Sequence, residues 1–152
     1  MKQRHQILFQ QLDSYRSEVL QVLETVTEDI AHTIPSGFHN NIRWNLGHIY
    51  LDQYLWIEAL TNEKSKELES LQSWFGYGTS PANFNEKTPS FEELKKLLKA
   101  QPIQIKELYG DRLDVEFPPI DMGMNTIEQV LIRTIFHEGI HLQTILDIKK
   151  FV

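Results

Sequence analysis

The chain is 152 residues long, 41% hydrophobic and 24% charged, a composition that suits one domain with a sizeable core and excludes disorder. A formal net charge of −6 with no basic cluster argues against nucleic acid as a partner, and no apolar run reaches the length of a membrane span. Zero cysteines exclude disulfides, thiolate metal ligands and a cysteine nucleophile, so any transition-metal site must draw on carboxylates and the six histidines.

The opening MKQRHQILFQQLDSY lacks the apolar stretch and small-residue cleavage site of a signal peptide, so a cytoplasmic location is expected. Residues 3–33 read as one helix. Ile7, Leu8, Leu12, Tyr15, Val19, Val22, Leu23, Val26 and Ile30 recur at three- and four-residue steps, the stripe of a bundle helix. Pro35-Ser36-Gly37 ends it. His5 and His32, at its two ends, read as ordinary surface histidines.

A second helix is predicted from about Ile42 to Leu60, with Trp44, His48, Leu51, Leu55 and Ala59 on its inner stripe. His48 on an apolar face is either a hydrogen-bonded core residue or a ligand. Asp52, one turn on, either orients the His48 ring or is a solvated edge residue.

Residues 61–89 form a long irregular stretch in which Lys64 to Leu71 suits a short helix. Trp74, Phe75, Tyr77 and Phe84 are too apolar to stand in solvent, and are expected to fold back on the bundle. They form either core packing beneath a crossover or a lid over a site.

Ser90 and Glu93 make a capping box for a third helix, with Phe91, Leu94, Leu97 and Leu98 inward. Pro102 is expected to kink or divide it, leaving a second part from Ile103 to Tyr109. After an irregular link at 110–124, Asn125 and Glu128 read as the cap of a last helix running to about Lys150. Val130, Thr134, His137, His141, Thr144 and Ile148 line one side of that helix. Ile127, Leu131, Ile135, Leu142 and Ile145 line the adjoining side. Residues 1–152 thus read as a single all-α domain, a four-helix bundle with a long link between helices two and three.

The last helix carries Phe136-His137-Glu138-Gly139-Ile140-His141-Leu142-Gln143-Thr144-Ile145. Histidines four apart differ by about 40° in azimuth, so both imidazoles leave one face and can offer nitrogens to a single ion. The alternative is two histidines hydrogen-bonded to core or solvent groups. The letters also spell H-E-x-x-H, the zinc-protease motif, with Glu138 in the place of the general base. A zincin needs a third ligand, usually downstream, but the 11 residues after His141 contain no His or Glu. Asp147, six positions along, points elsewhere. If a metal binds, its third ligand lies upstream.

Two segments together resemble the DinB/YfiT-like family of metal-dependent enzymes. Asn41-Ile42-Arg43-Trp44-Asn45-Leu46-Gly47-His48-Ile49 looks like that family's first motif, and the stretch around His137 and His141 is similar to its last-helix motif. The resemblance implies a four-helix bundle in which His48, His137 and His141 hold a divalent ion, zinc or nickel. Positions on that ion would stay open for a small-molecule substrate. His39, in the loop before helix two, is a competing ligand.

Three neutral imidazoles would leave the ion's charge uncompensated, so it would acidify a bound water or thiol. One reaction class is hydrolysis of an ester or amide, with Glu138 as a base. Glu138 lies about 80° around the helix from the mean direction of the histidines and would flank the site. The other class is attack by a low-molecular-weight thiol on an electrophile. Relatives that use bacillithiol or mycothiol make thiol transfer the favoured expectation and hydrolysis the second. A metal-stabilised bundle without catalysis, serving as a binding or dimerisation module, is the third. The family alone suggests a homodimer.

Overall fold

The computed structural model describes every residue from Met1 to Val152, and it contains helices and no strands. In chain order the helices are α1 (Gln3–Val22), α2 (Glu28–His32), α3 (Ile42–Thr61), α4 (Lys66–Phe75), α5 (Phe91–Tyr109) and α6 (Ile127–Lys149). The four long ones close a ring: α1 touches α5 and α6, and α3 touches the same two from the other side. The short α2 and α4 both pack on α3.

The first predicted helix is in fact two. It stops at Val22, and Thr27 caps α2 by accepting from the Ile30 N–H at 3.3 Å. Thr25-Val26-Thr27 is a β-branched run with a good N-cap residue at its end, so the chain gains more by restarting than by continuing. Leu23 and Val26 remain buried across the break. The stripe therefore marked the core, though not an unbroken helix. Ile7 and Tyr15 are exposed, as is Ala59 on α3.

His5 is not a surface residue. It is 3% exposed, with Nε2 lying 3.4 Å from a Glu128 carboxylate oxygen. His32 is exposed, as expected. Glu128 is engaged by Arg4 at 2.8 Å, so the cap of α6 falls to Thr126 and Gln129, one residue beyond the expected pair.

Pro102 does not divide α5, which runs unbroken through it. A proline at 102 cannot donate to the carbonyl of Leu98 one turn earlier. That carbonyl accepts instead from Arg16 Nη1 at 2.6 Å. The helix keeps its course because another element supplies the missing donor.

The core has two apolar clusters. One gathers Val19, Leu46, Phe75, Phe91, Leu98 and Ile145; the other holds Leu12, Ile57, Ile105, Ile127 and Leu131. Between them lies a buried polar layer with members from all four long helices: Arg16 on α1, Gln53 on α3, Gln101 on α5, and Thr134 and Glu138 on α6. Within it, Arg16 binds Gln101 and Glu138, and Gln53 donates to Thr134.

The aromatic stretch after α4 divides. Phe75 is buried in the larger cluster with Phe84 against its ring, Trp74 is half-buried, and Tyr77 is fully exposed at 100%. Tyr77 thus departs from expectation, because Gly76 and Gly78 carry the chain away from the bundle on either side of it.

Candidate metal centre

His48 from α3 and His137 and His141 from α6 converge at the contact between those two helices, with one ligand atom from each lying within 4.8 Å of the others. His137 Nε2 is 3.2 Å from His48 Nε2 and 3.2 Å from His141 Nε2. Each ring's Nδ1 faces a different acceptor. For His48 it is the Phe75 carbonyl at 2.6 Å, for His137 the Asp52 carboxylate at 3.0 Å, and for His141 the Asn45 side-chain oxygen at 2.8 Å.

These partners set the tautomers. A neutral imidazole carries one N–H; the Nδ1 of His48 and of His141 donates outward and that of His137 faces the Asp52 carboxylate, an arrangement that leaves the lone pair on Nε2. Three lone pairs then face one another with no proton between them, an arrangement that a cation relieves. The spacing suits one: nitrogens about 2.1 Å from a common ion, at a tetrahedral angle, lie about 3.4 Å apart. The donor set and its outer partners therefore fit a divalent ion. No fourth His, Asp or Glu joins the group.

Electrostatics favour the same state. Burial lowers the pKa of His48. Burial, with the neighbouring His48 and His137 rings, pushes His141 down to about 3. Burial alone would raise the Asp52 carboxyl, but the His137 N–H beside it and the charge of Arg133 outweigh it and hold it low. Asp52 also accepts from Trp56 Nε1 at 3.1 Å and from Arg133 at 2.5 Å, and the Arg133 guanidinium lies 4.3 Å from the centre of the Trp56 ring.

Local sequence explains the positioning. Asn41 caps α3 by accepting from the Trp44 N–H at 2.8 Å, which fixes the register of the turn ahead of His48. Trp44 stacks on His48 with centroids 4.7 Å apart and planes 11° apart. Its Nε1 donates to Thr79 at 2.9 Å. At Gly47 an added Cβ would lie 2.2 Å from the Phe75 ring. Only glycine lets Phe75 close enough to bring its carbonyl to His48.

Glu138 is on the same helix as two of the histidines but is engaged elsewhere. It is 6% exposed, and its two oxygens accept from Arg16 Nε at 2.7 Å and Nη2 at 3.1 Å. A carboxylate held this way is not placed as a base at the cluster. His39 is exposed and does not join the cluster. Asp52 is a partner of His137 and not of His48, a matter of which side of α3 faces α6. Sequence reasoning missed Asn45, Arg133, Trp56 and the Phe75 carbonyl. Asn45 had a visible signal, three residues before His48 on the same helix face.

A model of the DinB superfamily matches residues 11–145. A search of curated proteins gave no match.

Proposed function

We propose that this chain, which belongs to the DinB superfamily, is a divalent-metal-dependent enzyme that transfers a low-molecular-weight thiol to an electrophilic substrate. The observation that carries this reading is the set of three inward Nε2 lone pairs, each backed by its own acceptor, with no fourth protein ligand. Such a set holds an ion and leaves room on it for a small molecule. When bound, a divalent ion there supplies Lewis acidity, lowering the pKa of a thiol toward neutrality.

The chain's own residues hold and orient. Phe75, Asp52 and Asn45 orient the three imidazoles with Nε2 inward, and burial keeps His48 and His141 neutral. The sulfur forms a bond to an electrophilic carbon, a leaving group departs from that carbon, and the thiol proton passes to solvent. Hydrolysis by a metal-activated water is the second reading, and the glutamate that the H-E-x-x-H motif offers as its base is not free. Glu138 is committed to Arg16, and Asp52 already accepts from Trp56, Arg133 and His137. The resemblance of the two histidine-bearing motifs to thiol-using relatives ranks thiol transfer first.

The test begins with metal content, in wild type and His48→Ala purified without added metal or a histidine tag. About one ion per chain is expected in wild type and none in the variant. Metal-loaded protein is then given chlorodinitrobenzene with and without a small thiol, and in parallel a nitrophenyl ester. Thiol-dependent turnover supports the first reading, and thiol-independent ester cleavage replaces it with the second. Bound metal with neither activity would make the bundle a binding module.

A further inference from the structure

We propose that Arg133 is the specificity-determining residue of this centre, and that its ligand carries a carboxylate a few bonds from the atom that meets the metal. This rests on the metal-dependent reading above and deepens it by naming the substrate class.

Arg133 precedes His137 by one helical turn, so both leave the same face of α6. The Asp52 oxygen that accepts from Arg133 Nη1 at 2.5 Å also lies 3.0 Å from His137 Nδ1. Adding the width of an imidazole and a metal–nitrogen bond, the guanidinium sits within about 10 Å of an ion on Nε2.

The side chain is pinned but not used up. One face lies over the Trp56 ring at 4.3 Å, and Nη1 is held by Asp52. A guanidinium has five N–H donors. The bond to Asp52 is the only hydrogen bond that the Arg133 side chain makes within the protein, so Nε and Nη2 keep their donors, and the side chain is 23% exposed. A planar donor fork already fixed in place, beside a cationic centre, suits a carboxylate.

Asp52 does not cancel this. Its two oxygens are spent on Trp56, Arg133 and His137, so it cannot itself receive a cationic ligand group. With a divalent ion and Arg133 against one carboxylate, this corner is positive within a chain of net charge −6. The attraction is therefore local to the site and is not a property of the whole surface.

The test uses full-length protein loaded with cobalt(II), whose visible bands report ligand exchange. It is titrated with malonate, succinate and glutarate and with the monoamide of each, at low ionic strength. One carboxylate serves the metal in every probe; only the diacids have a second for Arg133. The best diacid is expected to bind about tenfold tighter than its monoamide. That ratio should fall to near one in Arg133→Gln and to an intermediate value in Arg133→Lys, which keeps charge but not the fork. Equal affinities in wild type, or a ratio unchanged in Arg133→Gln, would overturn the proposal. No thiol enters these titrations, so thiol-independent chemistry in the turnover assay leaves the anchor standing. A protein that takes up no cobalt sinks the anchor and the metal reading together.

Discussion

Arg16 on α1 and Glu138 on α6 are joined by two hydrogen bonds inside the core, at 2.7 and 3.1 Å, although Glu138 sits in an H-E-x-x-H sequence. The motif's glutamate has become a structural anion. Glu138→Ala should therefore keep its metal and lose stability, by about 3–5 kcal/mol, because Arg16 is left buried without a counter-charge. Urea midpoints and metal analysis on one preparation separate the two effects. A variant as stable as wild type but inactive would restore Glu138 to the catalytic list.

Pro102→Ala tests the other end of the same network. Mid-helix proline costs about 3 kcal/mol in an exposed helix. Here the Leu98 carbonyl is already satisfied by Arg16, so an added N–H at 102 competes for an occupied acceptor. The expected gain is about 1 kcal/mol or less, rising when Arg16 is replaced by Met. A full gain in the wild-type background would mean that the Arg16 bond contributes nothing.

The architecture was legible because apolar spacing reports the core directly. The stripe of α3 up to Leu55, the stripe of α6 and the Ser90–Glu93 box lie where the pattern put them. The breaks were less legible. Pro102 reads as a breaker until a residue 86 positions upstream supplies the donor it removed. The last-helix cap shifts because Arg4 takes Glu128. Histidines at i and i+4 announced a shared face. The partners behind them were hidden, since a backbone carbonyl at Phe75 leaves no trace in side-chain identity.

Gly47 and Gly139 should respond in opposite directions to alanine. At Gly47 a methyl would meet the buried Phe75 ring at 2.2 Å, and at Gly139 it would meet nothing within 4 Å. Gly47→Ala is expected to cost about 1–3 kcal/mol and to weaken metal retention by displacing the Phe75 carbonyl from His48. Gly139→Ala should stabilise by about 0.5–1 kcal/mol through helix propensity and leave the metal alone. Thermal melts with metal analysis decide it, and equal effects at the two positions would count against the close approach of Phe75.

Asp52→Asn keeps an oxygen near His137 Nδ1 but removes the charge that makes the ring a stronger donor to a metal. Loss of such an outer partner weakens metal binding about 10–100-fold. Competition against a chromophoric chelator measures it. Wild-type affinity in the variant would show that the Asp52–His137 contact at 3.0 Å is incidental.

The metal-free protein should lose stability as pH falls below the ordinary histidine range. The His141 pKa is 6.5 unfolded and about 3 folded. Between these values the unfolded chain binds more protons, so stability rises with pH across the interval. The contribution is complete above pH 6.5 and disappears as pH falls toward 3, and burial makes His48 act in the same direction. Asp52 does not confuse the upper window, because its carboxyl ionises below its ordinary 3.8 when folded. Urea midpoints measured at about pH 7 and pH 5 should differ in metal-free wild type, and the difference should shrink in His141→Gln, which cannot titrate. A pH response that survives the substitution unchanged would assign the acid sensitivity to groups outside the three-histidine cluster.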